Sequence, residues 1–172
     1  MPEGYRHARL SDMRWFLIAV FSLTCLAAPV LATDLEDALR AYHQERYAEA
    51  HRGFQMLAAA NSAEAAYYLG VMYDNGWGVP RDDPQAAEWY HRAARQGSYF
   101  AQYSLGVMYD QGEGVAQNSE LALMWITVAS RSGSPSAATL AKQLRGNMSK
   151  SAVDAARTKA HICVRSNFQN CF

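Results

Sequence analysis

Apolar side chains recur at helical spacing through the middle of this chain. Ala65, Leu69, Met72 and Tyr73 mark one helix face, and Ala86, Trp89, Tyr90 and Ala93 mark a second. Between them runs DNGWGVPRDDP, whose glycines and prolines are turn chemistry that no helix interior tolerates. The whole arrangement then returns. Ser62–Gly97 aligns with Ser98–Gly133 without a gap, and 17 of the 36 positions are identical. A period of this length belongs to stacked helix pairs, each of which buries its apolar face against the next.

The punctuation agrees with the pattern. Asp82 or Asp83 caps the second helix ahead of Pro84, and Asn118 or Ser119 does so in the second copy. Gly97 and Gly133 follow the second helices, where a left-handed C-cap favours glycine. Gly70 and Gly106 fall inside helices, at a cost of about 1 kcal/mol each, and so mark close helix contact. Upstream, Ala50 and Phe54 keep the register of Ala86 and Tyr90, Asn61 takes the place of Gly97, and only about Glu45-Arg46 is left as a link. Downstream, PSAATLAKQLRGNM and SKSAVDAARTKAHICV form another pair, with Ser149 as N-cap and no Gly-x-Gly-Val loop.

The expected fold is all-α, a right-handed solenoid of about four helix pairs. Its parts are a leader (1–32), a degenerate N-terminal pair (33–61), two full repeats (62–97 and 98–133) and C-terminal capping helices with a closed tail (134–172).

The leader is a separate object. Arg6, Arg9 and Arg14 precede the apolar run WFLIAVFSLTCLAAPVLA, which ends in Val30-Leu31-Ala32. This order reads as a secretory signal peptide cleaved after Ala32, with Met13 as a second candidate start. Two other fates stay open. The run is near the roughly 17–20 residues that span a bilayer, and Cys25 is a lipidation candidate, although Ser22 stands where a lipobox has leucine. Cleavage gives a periplasmic or secreted protein of a Gram-negative bacterium; membrane association follows only if the run is kept. Export leaves Cys163 and Cys171 as an even pair in an oxidising compartment, so a disulfide is expected. Two cysteines without a nearby histidine pair make a poor zinc site.

The pattern A-x-Y-x-L-G-x-x-Y-x-x-G-x-G-V, followed by A-x-x-W-x-x-x-A-x-x-G, resembles the Sel-one-like repeat, a relative of the tetratricopeptide repeat. Its two copies cover about half of the chain after Ala32. The resemblance implies a scaffold or regulator of an envelope system. Cysteine-rich members of that family have been linked to β-lactams, but the cysteine pair they carry in each repeat is absent here.

Catalytic chemistry is hard to place on this chain. His43, His51, His91 and His161 fall singly on the helices, where solvated or capping roles are expected. There is no Gly-x-Ser-x-Gly, no His-Glu-x-x-His and no phosphate loop. Gly76-Trp77-Gly78 follows a helix and not a strand, and the acids beside it lack the alternation of a calcium loop. No catalytic residue, metal or cofactor is assigned.

What remains is surface. First helices line the concave face of such stacks, and positions that differ between copies can read a partner. These are Ala63, Glu64, Ala66 and Tyr68 against Tyr99, Phe100, Gln102 and Ser104, while the matched Tyr67 and Tyr103 are expected in the core. Glu64, Tyr68, Trp77, Tyr99, Phe100 and Ser104 are the candidate partner-binding residues.

Charge adds polarity. The chain has 16 basic and 16 acidic residues, but 33–120 carries 13 acids against 6 bases and 121–172 one acid against 7 bases. Such asymmetry bears on association. The expected function is binding of a protein or peptide without catalysis, by a monomer or weakly self-associating chain. The alternative is binding or hydrolysis of cell-wall fragments. Nothing in the composition suggests nucleic acid.

Overall fold

Eight helices succeed one another along the chain: α1 (Leu35–His43), α2 (Tyr47–Ala59), α3 (Ala63–Asn75), α4 (Asp83–Arg95), α5 (Tyr99–Gln111), α6 (Ser119–Arg131), α7 (Pro135–Gly146) and α8 (Lys150–Arg165). They come from a computed structural model that describes residues 35–171. The leader, with its cleavage pattern and Cys25, lies outside the described residues. No strand occurs among the described residues, and none of their helices is long and apolar enough to cross a membrane.

Local chemistry explains the starts and stops. Ser62, Asp82, Ser98, Asn118 and Ser149 each accept a backbone N–H three residues on, which satisfies an otherwise orphaned donor at the helix start. Asn118, and not Ser119, is the cap of α6. At the ends of α3 and α5 the chain turns left-handed at Gly76 (φ 71°) and Gly112 (φ 76°). Asn61 (φ 69°) adopts at the end of α2 the turn that Gly97 supplies after α4.

Each helix packs on its partner and on the preceding pair: α1 on α2, α3 on α2 and α4, α5 on α4 and α6. This is an all-α solenoid. Gly70 and Gly106 mark the closest approaches within the pairs. A Cβ on Gly70 would lie 2.5 Å from the Tyr90 ring, and one on Gly106 2.6 Å from Ile126. Phe54, Leu69, Met72, Leu105, Met124 and Trp125 are fully buried along the stack, each worth about 1.5–3 kcal/mol of apolar transfer.

The repeat loops join one pair to the next. Gly78 sits against the backbone of Tyr47 at the start of α2, and Gly114 against Asp83 at the start of α4. The second glycine of each Gly-x-Gly-Val loop is therefore a docking position between pairs as well as part of a turn.

The C-terminal end departs from the expected hairpin. Helices α7 and α8 both pack on α6 and hardly on one another. Ala137, Ala141 and Ala156 join Ala122, Leu123 and Ile126 in a core of their own. The link 147–149 lacks the Gly-x-Gly-Val loop of the two full repeats. The chain after α8 then folds back. Cys163 is bonded to Cys171, Phe168 lies against Gly97, and Arg95 donates to the Gln169 carbonyl at 3.4 Å.

Candidate interaction surface

The first helices α1, α3 and α5 present a run of aromatic side chains on one face. Tyr42 meets Tyr68 edge-on at 5.1 Å, and Tyr67 bridges Tyr68 (5.4 Å) to Phe100 (5.5 Å). Tyr99 and Phe100 lie 4.1 Å apart at the far end. Together with Ala63, Glu64, Val71 and the turn 96–98 these rings line a hollow of about 630 Å³. Phe100 is 53% exposed, a large cost in apolar surface for a residue that only packs.

Four of the six residues expected to bind a partner, Glu64, Tyr68, Tyr99 and Phe100, thus share one hollow. The other two lie elsewhere. Trp77 stacks on Tyr47 at 5.5 Å and meets Tyr42 edge-on, bracing the link between α1 and α2. Ser104 lines a smaller hollow with Asp74, Tyr103 and Glu113.

Ala66 and Gln102, also variable between the copies, are fully buried, because α3 and α5 are covered both by their partner helices and by the preceding pair. Gln102 donates to the Ala94 carbonyl at 3.1 Å and so holds the end of α4.

Two expectations change. Tyr67 and Tyr103 are partly buried and not enclosed, and Tyr67 forms a wall of the aromatic hollow. Repetition at that position therefore reflects ring packing along the face. Of the histidines among the described residues, His43 and His161 are exposed, while His51 and His91 are half-buried, edge-on to Tyr73 and Trp125 respectively. Tyr42, Tyr67, Val71 and the turn 96–98 escaped the sequence argument. Tyr42 has no counterpart one period on, where Gly78 stands, so no comparison of copies could single it out.

The electrostatics are those of a weakly acidic, apolar lining. Burial first, and then neighbouring phenols, push the Tyr42 hydroxyl up to about 12. Burial raises Tyr68, helped by the Glu64 carboxylate, and raises Tyr67 as well. All three phenols stay neutral at ordinary pH and offer donors around apolar ring faces. Among the described residues no group of three acids, histidines or cysteines is placed to hold a metal ion.

The family comparison matches the repeat boundaries. The Sel1 repeat model covers residues 63–98 and 100–134. The chain contains two Sel1 repeats.

Solved structures extend the likeness beyond them. A protective antigen of uropathogenic Escherichia coli strains that displays an SLR fold superposes with a TM-score of 0.71 at 24% identity, over 80% of this chain and 29% of its own. A Sel1 repeat protein from Oxalobacter formigenes gives 0.62 at 28% identity, over 64% of this chain and 46% of its own. Helicobacter pylori cysteine rich protein B gives 0.54 at 23% identity, over 65% of this chain and 98% of its own. This chain therefore spans less than half the length of the first two. Comparison with curated proteins gives no match. Sel1-repeat solenoids are typically protein-interaction scaffolds.

Proposed function

We propose that this chain is an exported, non-enzymatic adaptor that binds an extended protein or peptide segment in the aromatic hollow of α1, α3 and α5. The observation that carries the reading is the convergence of Tyr42, Tyr67, Tyr68, Tyr99 and Phe100 from three helices on one open hollow. Rigid aromatic anchors in a concave site are what a peptide-binding surface needs. Glu64, and the excess of acids over bases in 33–120, favour a segment with a basic residue beside its apolar one. Export is supported by the charged, apolar, small-residue order of 1–32 and by the Cys163–Cys171 bond.

The test is a crosslinked pull-down from host cells with the tagged chain and with Tyr99→Ala/Phe100→Ala. The mature mass is measured on the same samples. The reading expects one stoichiometric partner, a chain starting at Thr33, and an affinity at least about five-fold weaker in the double variant, or about 1 kcal/mol. Equal affinity in the folded double variant would overturn the hollow as the binding site. Saturable binding of wall fragments by the purified chain would favour the cell-wall reading instead.

A further inference from the structure

The splay of α7 and α8 leaves a cleft floored by α6. Its lining comes from one face of each helix: Thr127, Ser130 and Arg131 at helical spacing on α6, Ala138, Ala141 and Arg145 on α7, and Arg157 on α8. The alanines keep the cleft open at about 450 Å³. Three guanidinium groups therefore share one concavity, and no carboxylate lines it. Asp154, the one acid after residue 120, is exposed one turn before Arg157 and is not part of the lining.

The corresponding face of the preceding pair has polar partners. Thr127 and Arg131 stand one period after His91 and Arg95. There Gln169 of the C-terminal tail lines the same hollow as His91 and Arg95, and Arg95 donates to its carbonyl. Arg92 likewise donates to the Ala58 carbonyl. In the cleft Arg131, Arg145 and Arg157 make no ion pair with any described residue.

We infer that this cleft is a binding site for a phosphate-bearing ligand, either a soluble phosphate ester or the headgroup of an anionic lipid. Planar guanidinium forks match tetrahedral oxyanions with paired N–H donors, and the Ser130 hydroxyl beside them is a further donor. Three cations without resident counter-ions suit a group with one to two negative charges. The site lies on α6–α8 and shares no residue with the aromatic hollow, so it stands or falls independently of the adaptor reading.

The experiment titrates the full chain with inorganic phosphate, with a hexose 1-phosphate, and with phosphatidylcholine vesicles with and without phosphatidylglycerol. It compares Arg131→Gln/Arg145→Gln with Lys142→Gln/Lys150→Gln, which removes the same charge outside the cleft. Saturable binding at least ten-fold weaker in the arginine pair, and within two-fold of the parent in the lysine pair, supports the site. A response confined to the esters or to the anionic vesicles identifies the source. Equal loss in both pairs would show a diffuse positive potential and overturn the proposal, as would no saturable binding of any probe. Should the arginine pair fold poorly, Ser130→Ala keeps every charge. It should bind at least three-fold more weakly with an unchanged or higher melting temperature, and parental affinity in that variant would overturn the site.

Discussion

Tyr90 donates its hydroxyl hydrogen to Asp74 Oδ2 at 3.1 Å while its ring packs against Gly70, where a Cβ would come within 2.5 Å of it. One side chain thus closes a helix pair twice, by shape and by a part-buried hydrogen bond. Tyr90→Phe keeps the shape and should cost about 1 kcal/mol in urea unfolding. Gly70→Ala places a methyl where the ring is, and Tyr90 is too buried to yield. It should cost about 1–2 kcal/mol net of the gain in helix propensity. In the second copy Ile126 replaces the tyrosine, so Gly106→Ala tests the shape term alone.

The loop glycines should separate into two classes. Gly114 has φ +68°, and a Cβ there would lie 2.2 Å from the Asp83 carbonyl oxygen, so Gly114→Ala should cost more than about 3 kcal/mol or prevent folding. Gly133 has φ +107° but nothing within 4 Å, so Gly133→Ala should cost only the backbone strain of about 1–2 kcal/mol. Gly146, helical and open, should tolerate alanine with a gain of about 0.5 kcal/mol. Melting temperatures of the three variants check the order.

Reduction of Cys163–Cys171 should release the tail from the solenoid. The cross-link spans a sequence separation of 8, for which loop entropy predicts about 2.5 kcal/mol. Cys163→Ser/Cys171→Ser should lower stability by about that amount. Amide exchange should rise at 166–171, where Phe168 rests on Gly97 and Gln169 on Arg95.

Stability should fall on both sides of neutrality. Burial lowers His51 and His91 in the folded chain, with Arg95 adding to the effect at His91, so the unfolded chain takes up protons first as pH drops below about 6.5. Their contribution is complete above that pH and is lost as pH falls towards their folded values. His51→Gln/His91→Gln should flatten the decline between about pH 7 and 5.

Burial raises Tyr42 to about 12 and raises Tyr90, so their contribution is complete below the ordinary value of 10.0 and is lost as pH rises through the folded values. Urea midpoints at pH 8 and 11 check the alkaline limb, which Tyr42→Phe should soften.

Helices, caps and the repeat period were determined by the sequence itself, because each depends on groups a few residues apart. Ser62, Asp82 and Ser98 reach a donor three residues on, Gly97 turns its own backbone, and Ala65 and Leu69 share a face through helical periodicity alone. The inference that Gly70 marks close contact was equally local, since a mid-helix glycine has few other uses.

What only the tertiary structure decided are the meetings between distant segments. Tyr42 of α1 meets Tyr68 of α3 edge-on, and Tyr67 stays partly buried as a wall of the hollow they share. Gly78 and Gly114 dock on the preceding pair, and Arg131, Arg145 and Arg157 converge because α7 and α8 straddle α6. Spacing along the chain sets which face a residue occupies. What stands opposite that face is set by the packing of the whole solenoid, through contacts whose partners lie tens of residues away.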